Sequence, residues 1–264
     1  MIKVNGEEIK IEHFPDGTLL LKTNDIDFDE PINICWYYEN DSELFTIICL
    51  AKKAKGEKYL YMPYCPHARQ DRKRCEEDVF TLKYFAETIN SLGFDEVAIL
   101  DPHSPVSEAL FDNVFVESPK EYIERMIYAL EQGGTELILF FPDAGASKRY
   151  ASMFPQYKYI YGNKVRTWET GEIVGTEIVN PFNVDLKHKT ILMIDDICSK
   201  GTTFFKSAEA LQPYDVENIY LWVTHCENTI LEGQVLTSGL IKTVFTTNSI
   251  FTKEHEKIKV LKLN

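Results

Sequence analysis

The sequence predicts an α/β protein built on mostly parallel sheets with helices on both faces. Two observations predict it. Short apolar runs alternate along the chain with segments whose apolar residues recur at helical spacing, the order that sets parallel strands between crossover helices. Six apolar runs also end in polar or charged loops on their carboxyl side, the edge of an open α/β sheet where ligands bind.

The elements follow in order. The first thirty residues read as short strands joined by a turn at Pro15-Asp16-Gly17. Ile32 to Tyr38 is a strand, and Asp41-Ser42-Glu43 opens a helix from Leu44 to Lys55 with carboxylates at its N-terminus. Tyr59 to Met62 is a strand ended by Pro63. Asp78 to Leu92 reads as a helix stopped by Gly93, and Val97 to Leu100 as a strand ending in Asp101-Pro102-His103-Ser104. The pattern then repeats. Pro119 to Glu131 is helical and terminated by Gly133-Gly134. Leu137 to Phe141 runs into Pro142-Asp143-Ala144-Gly145, and Tyr157 to Tyr161 leads to Gly162-Asn163-Lys164 ahead of a flexible stretch from Thr167 to Gly175. Ile191 to Ile194 is a buried strand that stops at Asp195-Asp196, followed by a turn and a helix over Phe204 to Leu211. Ile219 to Val223 and Lys242 to Phe245 complete the set. A boundary near Ser118-Pro119 divides the chain into two α/β halves, 1–118 and 119–264.

Composition narrows the function. The chain has 264 residues, with 41 acidic against 28 basic side chains and a net charge of −13. That balance argues against a general nucleic-acid or anionic-membrane binder. No stretch approaches the roughly 18 apolar residues of a membrane span, and Met1 to Lys10 does not read as a signal peptide. The six cysteines form no C-x-x-C pair and no zinc-like spacing, which fits a reduced, cytoplasmic protein.

Chemistry concentrates at the strand ends. Asp195-Asp196-Ile197-Cys198-Ser199-Lys200-Gly201-Thr202-Thr203 joins two carboxylates to a hydroxyl- and glycine-bearing turn before a helix. Backbone N–H groups there can hold a phosphate, and the carboxylates can hold sugar hydroxyls or Mg²⁺. His67 to Arg74 places four cations and one carboxylate in eight residues, so Arg69 can fork onto phosphate oxygens with Asp71 orienting it. Asp101 and His103 fall on one side of an extended segment. Asp143 with Gly145, Lys148 and Arg149 combines a carboxylate, close backbone approach and charge. Lys164-x-Arg166, beside the flexible stretch, suits charge stabilisation of a transferring phosphoryl group. Each also has a plain reading: a helix cap, a solvated basic loop, a turn or a surface cation pair. There is no P-loop, no G-x-G-x-x-G and no G-x-S-x-G elbow.

Taken in order from Phe14 to Ile250, these segments resemble ribose-phosphate diphosphokinase (phosphoribosyl pyrophosphate synthetase). Phe14-Pro15-Asp16-Gly17 is similar to its adenine-binding turn and Tyr64 to Arg72 to its Tyr-Ala-Arg-Gln-Asp loop. Asp101-Pro102-His103-Ser104, Pro142-Asp143-Ala144-Gly145, Lys164-x-Arg166 and Asp195 to Thr203 match further signatures. The resemblance implies two phosphoribosyltransferase-like domains, ATP bound by 1–118 and the sugar phosphate by 119–264. It implies transfer of the ATP diphosphoryl group to the anomeric hydroxyl of ribose 5-phosphate, releasing AMP. By it Phe14, Asp16, Arg69, Gln70, Asp71 and His103 bind ATP, and His103 and Asp143 take the Mg²⁺. Lys164 and Arg166 are catalytic, while Asp195, Asp196, Ser199, Lys200, Gly201, Thr202 and Thr203 hold the sugar phosphate. A homo-oligomer is expected by analogy, with no nucleic-acid or membrane partner. The chain departs from the family at Thr18, in place of Glu, and at Lys200-Gly201-Thr202-Thr203, in place of Thr-Gly-Gly-Thr. The N-terminal β-α unit and the C-terminal helix read as shortened. A threonine at 202 is expected to restrict positive φ and close phosphate approach, and Lys200 to add charge and bulk, which leaves open a 5-phosphate-substituted ribose such as ADP-ribose as substrate. The same residues also leave open a type I phosphoribosyltransferase or a non-catalytic regulator that binds nucleotide.

Overall fold

The computed structural model describes residues 1–24, 26–132, 134, 136–166 and 173–263, with the backbone alone for 164–166 and 173–174. The chain folds as two compact units, Met1–Ser118 and Pro119–Asn264. Both are α/β.

In the first unit the short strands β1 (Ile2–Val4) and β2 (Glu7–Glu8) precede a separate hairpin of β3 (Ile11–His13) and β4 (Leu19–Leu21). Then come β5 (Ile32–Trp36), α1 (Glu43–Lys53), β6 (Lys58–Met62), α2 (Thr81–Asn90), β7 (Glu96–Leu100), α3 (Pro105–Leu110) and β8 (Val114–Glu117). The sheet order is β2-β1-β5-β6-β7-β8, with β5 to β8 parallel and β1 and β2 antiparallel at one edge. The helices bury one stripe each. In α1 it is Glu43, Thr46, Ile47, Leu50 and Ala51, and in α2 Leu82, Phe85, Ala86 and Ile89, both at helical spacing. They join Ile32, Ile34, Leu60, Met62, Val97 and Ile99 from the sheet in a single core. Glu43 is charged yet buried because its carboxylate accepts Trp36 Nε1–H and the Glu39 N–H, each at 2.8 Å.

The second unit contains α4 (Lys120–Glu131), β9 (Leu137–Phe141), α5 (Ala144–Tyr150), β10 (Tyr159–Arg166), β11 (Ile173–Val179), β12 (Thr190–Cys198), α6 (Thr202–Leu211), β13 (Asn218–Cys226), β14 (Thr243–Thr247) and β15 (Ile258–Leu261). The sheet order is β11-β10-β9-β12-β13-β14-β15, with only β11 antiparallel among these described strands. Alternation along the central strands feeds two cores. Leu137, Leu139, Phe141, Leu192 and Ile194 pack with α4 and α5, whereas Ile138, Phe140, Ile191 and Met193 pack with α6. Order along the sheet reverses between β9 and β12, and the helices that follow those two strands lie on opposite faces. Their carboxyl ends therefore flank a crevice, the switch point of a doubly wound sheet.

Several boundaries differ from expectation, each for a local reason. The helix expected from Asp78 begins at Thr81, because Asp78 instead closes a turn: its N–H bonds the Cys75 carbonyl and its carboxylate accepts the Arg74 N–H. The strand expected to stop at Asp195 continues to Cys198, held in parallel register by Ile197 opposite His225 and Cys198 opposite Cys226. The strand from Tyr157 begins two residues later and extends to Arg166, because β11 pairs with it. Residues 173–175 of the expected flexible stretch therefore lie in a strand, while 167–172 fall outside the described residues. Gly133, read as a helix stop, also lies outside them.

Candidate functional site

In the first unit the loops after β6 and β7 are tied together by Asp71. Its carboxylate takes a fork from Arg72, with Nε at 2.8 Å and Nη2 at 2.9 Å, and accepts the Ser104 hydroxyl at 2.6 Å. The Arg72 hydrogen bonds hold the Asp71 carboxyl down to about 2, assisted by Ser104 and by the charge of nearby His103. Ser104 also caps α3 by accepting the Val106 N–H at 3.2 Å. One buried carboxylate thus fixes both loops around a cleft of about 420 Å³ lined by Tyr64, His67, Arg69, Gln70, Asp71, Arg72, Arg74, Asp78 and Thr81. Gln70 Oε1 is oriented by the Thr81 hydroxyl at 2.9 Å, and Arg69 is exposed. A cleft edged by arginines and an amide suits a polyphosphate.

Asp101 and His103 do not share a side as the extended-segment reading expects. Asp101 has a φ of 43° and is buried, whereas His103 is exposed, because the left-handed residue breaks the two-residue alternation. Phe14 and Asp16 belong to the β3–β4 turn. Asp16 closes it by accepting the Thr18 N–H at 3.0 Å and the Thr18 hydroxyl at 2.7 Å, and Gly17 supplies a φ of 84°. Thr18, a departure at sequence level, is therefore part of the turn's closure. Phe14 projects from it 49 % exposed, a free aromatic face. Gly17 and Thr18 also border a second cleft, of about 510 Å³, with Glu39, Asn40 and Phe45.

The second unit gathers its candidate residues at the switch point. Asp143 follows β9 and caps α5, its Oδ1 accepting the Ala146 N–H at 2.9 Å. Asp195 and Asp196 lie in β12 beyond its pairing with β9. Asp195 Oδ1 accepts the Asp196 N–H at 3.0 Å. Burial pushes the Asp195 carboxyl well above the usual carboxylate range, and the charges of Asp196 and, more weakly, Asp143 push it the same way. These are hard oxygen donors crowded enough to be relieved by a cation. Among the described residues, however, no group of three or more His, Cys, Asp or Glu side chains is arranged to hold a metal on its own.

Past Cys198 the chain turns through Ser199 and Lys200 to Gly201, whose φ of 77° starts α6. Gly201 has no side chain with which to cap this ten-residue helix, and Ser199, Thr202 and Thr203 lie next to its first N–H groups in the chain. Thr202 is the first helical residue of α6. The expected restriction on positive φ does not operate there, because the left-handed position is Gly201.

Lys164 and Arg166 lie at the end of β10, opposite Thr176 and Ile173 of β11, with a register shift between Val165 and Arg166. Their side chains lie outside the described residues. His103 belongs to the first unit and Asp143 to the second. Sequence reading passed over His225, buried at the end of β13 with Nδ1 2.8 Å from the Ser249 hydroxyl, and Glu232, which lies 3.0 Å from Lys200 Nζ. The signal for His225 was a Thr-His-Cys sequence closing an apolar strand. For Glu232 there was none. Among the described residues no helix is long and apolar enough to cross a membrane.

No family model matches the chain. Individual relatives do. A ribose-phosphate pyrophosphokinase of Thermococcus kodakarensis is 29% identical over 252 residues, spanning 93% of this chain and 86% of the relative. Those of Pyrococcus abyssi and Saccharolobus solfataricus are 28% and 24% identical, each spanning 96% of this chain and 87% and 88% of theirs. Among solved structures, the crystal structure of phosphoribosylpyrophosphate synthetase from Mycobacterium smegmatis matches with a TM-score of 0.76 at 18% identity, over 97% of this chain and 86% of that one. At that identity the likeness shows a shared fold.

Proposed function

Because the chain is a divergent member of the ribose-phosphate pyrophosphokinase family, we propose that it transfers the β,γ-diphosphoryl group of ATP to the anomeric hydroxyl of ribose 5-phosphate, giving phosphoribosyl pyrophosphate and AMP. The observation that carries this reading is the glycine-started N-terminus of α6 immediately beyond Asp195 and Asp196 at the switch point. Its N–H groups and hydroxyls take the 5-phosphate, and the two carboxylates fix the ribose hydroxyls.

Phosphoryl transfer asks the protein for position and charge stabilisation above all. The Asp71-braced cleft of the first unit provides Arg69, Arg72 and Gln70 for the phosphates of ATP, and Phe14 offers a face for adenine. Lys164 and Arg166 neutralise charge developing on the transferred group. Mg²⁺ fits a site that keeps its waters and uses few carboxylates. Asp143 or the Asp195-Asp196 pair would contribute one or two carboxylates, with His103 a further candidate on the nucleotide side, and water and substrate oxygens would complete the shell. When bound, Mg²⁺ neutralises phosphate oxygens and polarises the phosphorus. A homo-oligomer belongs to this reading as well.

Thr202 gives no ground of its own for a substituted ribose, since it is the first helical residue of α6 and the left-handed position falls on Gly201. AMP release from ATP and Mg²⁺ is the test, with ribose 5-phosphate and ADP-ribose assayed in parallel. The expected result is release with ribose 5-phosphate, and Lys164→Ala lowering kcat by about 10²–10³-fold while ATP binding persists. Absence of AMP with either sugar, or full turnover in Lys164→Ala, would refute the assignment.

A further inference from the structure

The loop bearing Lys200 is braced by the segment that follows β13. The Glu227 N–H donates to the Cys198 carbonyl at 2.8 Å. A short 3₁₀ turn, Asn228–Glu232, comes next. Gly233 then lies so close to the loop that a Cβ there would come within 1.8 Å of the Lys200 carbonyl oxygen. Val235 closes the brace, since a Cβ on Gly201 would meet Val235 Cγ2 at 2.3 Å. Two of these contacts tolerate no side chain, so the backbone of the segment is fixed against residues 198–201. The fold therefore places the side chain of 232 beside that of 200. Glu232 Oε2 meets Lys200 Nζ at 3.0 Å, with both side chains 62% exposed.

An exposed ion pair is weak and exchanges readily. This one holds the ammonium group of the loop that leads into the N-terminus of α6. A phosphate with two negative charges is a stronger partner for Lys200 than a single carboxylate, yet it must approach past the charge of Glu232. We propose that Glu232 is a positioning residue for sugar-phosphate binding: it holds Lys200 on the 227–235 brace and yields it to the substrate phosphate, which sets the affinity of the loop. The proposal rests on the reading of Ser199 to Thr203 as the sugar-phosphate site. Because Lys200 stands where the family has Thr, the device belongs to this chain's own variation.

The test is a double-mutant cycle on the full-length protein, following AMP release and the calorimetric titration of ribose 5-phosphate. Glu232→Gln is expected to lower KM for ribose 5-phosphate about two- to fivefold, with kcat little changed and the calorimetric affinity moving by the same factor. In a Lys200→Met background the same substitution is expected to lose most of its effect. Glu232→Ser is measured alongside, so that a folding defect in one variant leaves the other to decide. An unchanged or raised KM, or an equal effect without Lys200, overturns the proposal and leaves the functional reading standing. A wild-type protein that neither binds ribose 5-phosphate nor releases AMP overturns both.

Discussion

Asp71 serves the arginine-edged cleft of the first unit by holding two loops together, a role its position in a basic stretch does not reveal. Its folded-state carboxyl titrates at about 2, below the roughly 3.9 of an unfolded aspartate. The unfolded chain therefore binds the extra proton first, and the stability Asp71 contributes is present above about pH 4 and lost as pH falls through about 2. Asp71→Asn is expected to destabilise the protein by about 1–2 kcal/mol at pH 7, a figure reduced for the solvent exposure of Arg72. Urea denaturation from pH 7 down to pH 2 checks it, since the gap from wild type must close as the pH drops. A gap that stays constant would assign the effect to packing. At this scale the sequence was legible where chemistry is contiguous: Asp195 and Asp196 end an apolar run, and Phe14 sits in a recognisable turn. It was illegible where a residue's role is set by backbone sign or a distant partner. Nothing local says that Asp101 adopts a φ of 43° or that Glu232 meets Lys200.

The elements with strong apolar periodicity, α1, α2, α4 and α6, were readable because each buries a stripe of its own. The short α3 and α5 were not, since their six and seven residues carry little periodicity and are fixed mainly by the caps Ser104 and Asp143. β11 escaped for another reason. It is an antiparallel edge strand with Gly175 and Glu177 in its span, and only its partner β10 makes it a strand. The extension of β12 to Cys198 likewise depends on β13, and it delivers the turn of residues 199–201 at a fixed height above the sheet. The brace beyond β13 is the element on which that turn leans. Gly233→Ala forces a methyl against the Lys200 carbonyl, a backbone atom that cannot swing away. It is expected to cost about 1–3 kcal/mol and to weaken ribose 5-phosphate binding. Thermal unfolding paired with calorimetry measures both, and a variant with native stability and affinity would show that the loop does not need the brace.

At the level of the whole molecule, two sheets of similar construction are used differently. The first unit lets β5 to β8 advance in one direction and makes its cleft from loops, whereas the second reverses direction between β9 and β12 and makes its crevice from topology. That the chain divides into α/β halves could be read from alternating strands and helices. Strand order could not, because it depends on which edge each crossover returns to. At the reversal the Asp195 carboxyl is raised well above its ordinary range, first by burial and then by the charges of Asp196 and, more weakly, Asp143. A carboxyl shifted that way destabilises the fold as pH rises through its folded value, since the unfolded chain releases the proton more easily. Asp195→Asn retains an oxygen for the Asp196 N–H and has no charge to lose. It is expected to melt about 2–5 °C above the wild type at neutral pH, an advantage that shrinks in mildly acidic buffer. Calorimetric scans at both pH values decide the matter, and a variant that melts lower at neutral pH would contradict it. The crevice would then carry a standing cost in stability, so selection for heat resistance alone would tend to replace its buried carboxylate.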